Sequence, residues 1–514
     1  EPRIHTSAAA FGIGPGPLPQ PPAGVEHPVV GVFDTGTAAS ATSLRPWIAS
    51  TTSYVLPPDT DYVHGTAVAS LVAGAKILNG DHAWLPTTRC QVHDTCGLEA
   101  AGGNTTDLIV RLAEAVRNAP HVKVWNLSLG GAQIGDHEFS YFAQQLDALS
   151  DEHQVLFVVA AGNYTGLPRR GWPVADLHLE DRLSSPGDSV RALTVGAVAH
   201  LDSPGAMVAA GHPAPYSRRG PGPVFTPKPD LVHAGGGVHE QWDVGPSSLQ
   251  MLHPFDALYG SFGTSFATPI VSSVAGHVWQ SLDGNPDVAV APHMVKALLI
   301  HAARLASPDY GALERRYYGC GIPQDALSAL YDSDDCFTMM FEALVVPGFK
   351  WRKTPYPIPA SLMHNGKLRA EVIITAAYSP PLDPNAGAEY VRANVNVSFG
   401  VLDGSRISGK VPMEGEAGTT GYEAAQIEHG GKWSPVKLHR KKFPQGVAGD
   451  QWAIQLDALL RANEPPLAEP LNVALVVSLR SLDANRQVHA DGVRALVQSN
   501  WVRQHLPVRV PVQV

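Results

Sequence analysis

Charge is scarce in this 514-residue chain: Asp, Glu, Lys and Arg together make up 16% of it, against about 25% in an average soluble protein. Basic residues are the scarcer sign, 37 against 47 acidic, for a net charge of −10. A nucleic-acid binder normally presents a basic face, and an anionic membrane surface attracts Lys/Arg clusters. Both partner classes are therefore set aside. Long apolar runs are also missing. The longest, such as VLFVVAA at 155–161, fall far short of the ~18 residues of a membrane span. Four cysteines are too few for a disulfide framework. Cys320 and Cys336 could pair, which spacing alone does not decide. Cys90 and Cys96 bracket His93, with His82 upstream, but without the C-x2-C spacing of a zinc site ordinary thiols are the simpler reading and no metal residue is assigned. No secretory signal is visible. With so few cysteines this leans toward the cytoplasm, although a processed secreted enzyme would present the same sequence. The chain starts at Glu1 rather than Met, so its first residues do not decide the compartment. Sequon strings at Asn104, Asn126, Asn163 and Asn396 say little about secretion, and Asn126 sits in an apolar run where a glycan would not fit.

Glycine and proline are plentiful, at 49 and 44 residues, which implies many turns and close backbone approaches. Residues 1–27 read as an extended Pro/Gly-rich arm, because GIGPGPLPQPP at 12–22 cannot continue a helix or a central strand. Its glycines have no strand before them and no helix after, so a dinucleotide site is rejected. From 28 to about 330, short apolar runs at 28–33, 122–129, 154–161, 192–198 and 229–232 have the length of strands buried on both faces. Helical stripes lie between them: Leu108, Ile109, Leu112, Ala115 and Val116, then Phe139, Phe142, Leu146 and Leu149, with further helices over 64–75 and 265–281. The alternation predicts an α/β domain with a doubly wound parallel sheet, whose chemistry gathers at the carboxyl ends of the strands. We place this domain at 28–338. From 339 to 514 the pattern changes to alternating segments, as at 369–376, 391–399 and 472–479, which predicts an antiparallel β-sandwich-like domain. A short helix is expected at 456–462. Trp351, Trp433, Trp452 and Trp501 read as scattered core residues.

Four segments carry polar groups suited to one reaction. VVGVFDTG at 29–36 puts Asp34 at the end of a strand, where a backbone-capping turn Asp is the ordinary reading. HGTAVASLVAG at 64–74 opens a helix with His64, one of 22 histidines. AAGN at 160–163 ends an apolar strand with Asn163, which either stabilises a turn or donates its amide to a developing oxyanion. GTSFATP at 263–269 opens a long helix. Ser265 there is either a helix cap, competing with Thr264, or a nucleophile at a helix N-terminus. Pro269 is expected in the first turn, where proline is tolerated. Singly, each motif has a bland explanation. Together, Asp…His…Ser with an Asn donor between His and Ser reproduces the triad logic and the chain order of subtilisin.

On these residues the chain resembles the subtilisin-like serine proteases over about 28–330. VWNLSLGG at 124–131 is similar to the family's substrate-binding strand, which implies that Ser128, Leu129 and Gly130 pair with substrate backbone. The resemblance also implies that Ala160, Ala161 and Gly162 are substrate-binding residues. KPDLVHAGG at 228–236 and YGCGIPQDAL at 318–327 resemble the family's later segments. Val63 replaces the usual Gly before the His, and Phe266 replaces the usual Met after the Ser. Neither change removes a reacting group. The long, charged stretch at 166–188 should border the pocket for the substrate side chain before the scissile bond. The 33 residues before Asp34 leave no room for the inhibitory prodomain many members of that family carry, so the chain is expected to be mature-like, truncated or regulated in some other way.

The resemblance implies a serine endopeptidase acting on proteins or peptides through an Asp34–His64–Ser265 triad and an acyl-enzyme, with Asn163 in the oxyanion hole. It needs no cofactor. Calcium in surface loops is a family habit, and the nearest acidic run is DSDD at 332–335, though no EF-hand-like ligand run is present. The alternative is a silent or autoinhibited binding or regulatory module on the same fold. A regulatory partner is left unknown. The Ser…Asp…His order of α/β-hydrolases does not match.

Overall fold

The computed structural model describes residues 10–15, 18–175, 180–285, 288–323, 333–414, 431–499 and 501. The chain divides into two compact units, 1–295 with 307–325, and 296–306 with 326–514.

The first unit begins with the arm. Its residues Ala10–Pro15 form strand β1 rather than a free extension. Next come β2 (Val29–Asp34), β3 (Ile48–Ser53), β4 (Gln91–Cys96), β5 (Val124–Leu127), β6 (Leu156–Ala160), β7 (Leu193–Val198) and β8 (Leu231–Ala234), followed by β9 (Leu249–Leu252) and β10 (Ala257–Ser261). β1 pairs antiparallel with β10 at the edge of a three-stranded sheet with β9. An edge is where proline-rich backbone can still pair. The other seven form a single sheet in the order β3-β4-β2-β5-β6-β7-β8, with every neighbouring pair parallel. The chain leaves β2 toward β4 and returns to β5 on its other side. The strand order therefore reverses beside β2, the position where doubly wound sheets open a crevice at their carboxyl ends.

Helices cover both faces. α1 (Val63–Leu78) and α4 (Thr264–Asp283) pack on one another and on the sheet. α2 (Thr105–Asn118) and α3 (Tyr141–His153) bury Leu108, Ile109, Leu112, Ala115, Val116, Phe142, Leu146 and Leu149 against Phe33, Trp125 and Phe157 from the other side. Every residue of β5, β6, β7 and β8 is buried, as expected of strands covered on both faces. Phe139 is buried too, but it precedes the Ser140 cap of α3 rather than belonging to the helix.

The second unit holds two four-stranded antiparallel sheets. One orders Cys336–Val345, Leu471–Arg480, Glu371–Tyr378 and Val436–Lys442; the other orders Trp351–Lys353, Trp452–Leu460, Ala393–Asp403 and Arg406–Gly409. Phe341, Ile374 and Val473 from the first meet Phe399, Ile454 and Leu456 from the second in one core. The helix expected at 456–462 is not there. The segment is strand up to Leu460, with Leu456 and Ala458 buried, Asp457 half-buried and Leu459 half exposed, an alternation that no helix face gives. A helix does form at Val488–Gln498.

Candidate active site

Three loops at the carboxyl ends of β2, β5 and β6 converge on the start of α4. Asp34, the last residue of β2, is 1% exposed. Its Oδ1 accepts the backbone N–H of Thr35 at 2.8 Å and faces His64 Nδ1 at 2.8 Å. That bond places the proton of His64 on Nδ1. Nε2 is buried, and among the described residues no hydrogen-bond partner satisfies it. His64 sits in the first turn of α1, and Gly65 explains how the helix comes so near. A Cβ at residue 65 would lie 2.3 Å from the carbonyl oxygen of Gly36, while its N–H donates to Thr35 Oγ1 at 2.9 Å. The loop beyond Asp34 is anchored from β4, where Asp94 Oδ2 accepts Thr37 N–H at 3.0 Å and Thr37 Oγ1 at 2.6 Å. Burial pushes the Asp94 carboxyl up to about 6, against the pull of those two bonds.

Ser265 lies at the start of α4, but neither it nor Thr264 is the cap; Gly263 holds that position and makes no side-chain cap. Pro269 falls in the second turn, not the first. There it lacks the N–H that would bond the carbonyl four residues back, which is Ser265's. Ser128 Oγ takes over, donating to Ser265 O at 2.8 Å. In return Ser265 Oγ donates to Ser128 O at 3.2 Å. Ser128 is itself oriented by Asn126 Nδ2 at 2.9 Å, and Asn126 Oδ1 accepts from Ser272 Oγ at 3.0 Å. The freed carbonyl therefore ties the start of α4 to the end of β5. The ring of Phe266 lies 5.6 Å from that of His64.

Asn163 follows Gly162 at the end of the β6 segment. Its Oδ1 accepts both donors of Thr264, N–H at 3.0 Å and Oγ1 at 2.9 Å. With the acceptor occupied twice, the carboxamide is fixed with Nδ2 as the free donor. The remaining sequence candidates flank this point. Ser128, Leu129, Ala160 and Ala161 are buried, with Leu129 in the core under α2 and α3. Gly130 and Gly162 face each other across a narrow space that also holds Ser184.

Sequence reasoning missed Thr264 as the orienter of Asn163; Ser184 lies in the stretch expected to border the pocket for the substrate side chain but was not singled out. Residues 166–188 read as a charged stretch, but they are held by a buried ion cluster. Asp181 pairs with Arg170 at 3.1 Å and Arg219 at 2.6 Å, with side chains 0%, 1% and 10% exposed. Arg170 stacks over Tyr317; the Nη1 that bonds Asp181 also donates to Ser217 O at 2.7 Å, and Nη2 donates to Ala214 O. Residues 176–179, 324–327 and 332 lie outside the described residues.

The thiols of Cys90 and Cys96 donate to the carbonyls of Ser273 and Thr35, and burial raises Cys90 to about 12. Among the described residues no group of three or more His, Cys, Asp and Glu could hold a metal ion. Ser333 donates to Asp335, an ordinary local turn.

A family model described as the subtilase family matches residues 26–321. The chain belongs to the subtilase family. It is a subtilisin-like serine protease, with protein or peptide substrates. The Uncharacterized protein y4bN of Sinorhizobium fredii is 27% identical, over 55% of this subtilase and 72% of its own length. Among solved structures, a lanthipeptide protease is 18% identical with a TM-score of 0.41, covering 58% of this chain and 86% of that one. A cold adapted subtilisin-like serine proteinase is 21% identical with a TM-score of 0.33, covering 53% of this chain and 80% of that one.

Proposed function

We propose that this subtilase hydrolyses internal peptide bonds through Ser265, His64 and Asp34, with Asn163 Nδ2 and the Ser265 N–H as oxyanion donors. The observation that carries the reading is His64 itself. Its Nδ1 is engaged by a buried carboxylate, while Nε2 is buried and has no hydrogen-bond partner among the described residues, as suits a general base waiting for a hydroxyl proton.

In the resting arrangement Ser265 Oγ rests on Ser128 O at 3.2 Å, a long bond for a hydroxyl. Turning about χ1 frees it toward His64. Oγ then attacks the substrate carbonyl while its proton passes to Nε2. Asp34 holds the tautomer and stabilises the imidazolium. The carbonyl oxygen becomes an oxyanion held by Asn163, whose amide is worth about 10²–10³ in kcat. The imidazolium protonates the leaving amine and the acyl-enzyme forms. Water repeats the sequence in reverse, releasing the acid. Substrate backbone would lie along Ser128, Leu129 and Gly130 as an added strand.

Labelling with a fluorophosphonate, beside Ser265→Ala and followed by casein cleavage, tests this. Labelling that disappears in Ser265→Ala, together with casein cleavage, is the expected result. The Ser265–Ser128 bond also favours a second reading, a gated or silent module. Absence of labelling would make that the leading one.

A further inference from the structure

Specificity in a protease of this chemistry depends on where the side chain of the residue whose carbonyl is attacked can go. That carbonyl must sit between Ser265 and Asn163. Its side chain then enters between the segment 128–130, bonded to Ser265 through Ser128, and the segment 160–162, which leads into Asn163. We infer that Ser184 closes this slot, and that the residue on the acyl side of the scissile bond is restricted to glycine, alanine or serine. The inference rests on the proposed role of Ser265 and adds to it the substrate class.

The geometry leaves little space. A Cβ at Gly130 would lie 2.7 Å from Ser184 Oγ and 3.8 Å from the Cα of Gly162. A Cβ at Gly162 would lie 1.9 Å from Ser184 Oγ and 2.9 Å from the Cδ of Arg218. Carbon atoms pack at about 3.5–4.0 Å, so the hydroxyl already fills the gap between the two glycine walls. Nor can the backbone easily retreat. Ser184 N–H donates to Ala161 O at 3.1 Å, and its neighbours are bonded to the other wall through Ile134 N–H to Leu183 O at 3.0 Å, Gly131 N–H to Ser185 O at 2.7 Å and Ser185 N–H to Ala132 O at 2.9 Å. Arg218 braces the far side of Gly162, donating to Asn163 O at 3.1 Å, Gln133 Oε1 at 2.9 Å and Arg182 O at 2.7 Å. The Ser184 hydroxyl itself makes only a 3.5 Å contact with Ala161 O. Its proton is available to a serine hydroxyl entering the slot, but a phenyl ring has no room.

The test uses the full chain and peptidyl diphenyl phosphonates that differ only in the residue beside phosphorus, alanine or phenylalanine, with a fluorophosphonate as the probe that has no such side chain. Each buried methylene accepted or refused changes selectivity about 10–200-fold. The native protein is therefore expected to react at least ~10-fold faster with the alanine probe. Ser184→Gly should raise the phenylalanine rate by ~10-fold or more and change the alanine rate much less. Ser184→Ala, which keeps Cβ, should move in the same direction by less, and it replaces the glycine variant if that one fails to take up the fluorophosphonate. Equal or faster reaction of the native protein with the phenylalanine probe overturns the proposal. So does an unchanged ratio in the Ser184 variants, or fluorophosphonate labelling with no reaction at the alanine probe. Failure of the fluorophosphonate to label the native protein overturns the role given to Ser265, and the proposal with it.

Discussion

Burial works against Asp94. It is 1% exposed, its Oδ1 finds no partner among the described residues, and Asp34 lies close enough to oppose its charge. Its carboxyl is held at about 6 in the folded chain, whereas an unfolded Asp titrates near 3.9. The folded state therefore holds the proton more tightly. The contribution of this group favours folding below about pH 4 and fades as pH rises through about 6, by roughly 3 kcal/mol in all. Asp94→Asn should remove that slope while keeping an acceptor for Thr37. Urea unfolding at pH 4, 5, 6 and 7, in a Ser265→Ala background to prevent autolysis, measures it. Equal slopes for the two proteins would show that Asp94 stays ionised throughout. A second residue-scale expectation concerns Phe266, which is 3% exposed and packs beside His64. With no thioether next to the nucleophile, peroxide should inactivate the native enzyme more slowly than a Phe266→Met variant. Equal inactivation rates would place the oxidisable group elsewhere.

Among elements, the segment between Asn163 and Ser184 depends on its buried ions. Arg170 and Arg219 share Asp181, and burial opposes the charge on Arg170. Removing one partner of a buried pair typically costs about 3–5 kcal/mol, because the remaining charge is stranded. Asp181→Ala, with two arginines left behind, should lose at least that much in denaturant unfolding. A loss under about 1 kcal/mol would mean that water reaches the cluster. This segment also shows which parts of the molecule were readable in advance. β2, β5, β6 and β7 were legible because strands covered on both faces are mostly apolar. β3 (IASTTS) and β4 (QVHDTC) were not, since they carry polar side chains and β3 lies at the sheet edge. The segment 456–462 was misread as a helix because Leu456, Leu459 and Leu460 complete a helical spacing, while the alternating burial of 456–459 appears only once the partner strand is known. The site behaved the same way. Asp34, His64, Asn163 and Ser265 stood out because each sits in a short motif of fixed local geometry. Ser184 did not, because its neighbours at 130 and 162 lie far from it in sequence. The exchange between Ser128 and Ser265 was hidden too, since it follows from which carbonyl Pro269 leaves open.

For the whole molecule, the scarcity of charge follows from the architecture. A seven-stranded sheet covered by helices and a separate two-sheet core each need apolar residues on most of their surfaces, which leaves less of the chain for charged side chains. Stability then has to come from packing rather than cross-links, and the cysteines fit this. All four are buried thiols, Cys320 and Cys336 included. Burial raises Cys90 to about 12 and also raises Cys96 and Cys336, and a thiol held protonated is a poor nucleophile. Ellman's reagent should therefore react slowly with the native chain and titrate four thiols once the protein is denatured without reductant. The thermal midpoint should be the same with and without dithiothreitol. Two thiols in the denatured titration, with a midpoint that falls on reduction, would reveal a disulfide and a cross-linked source of stability in place of the packing argued here.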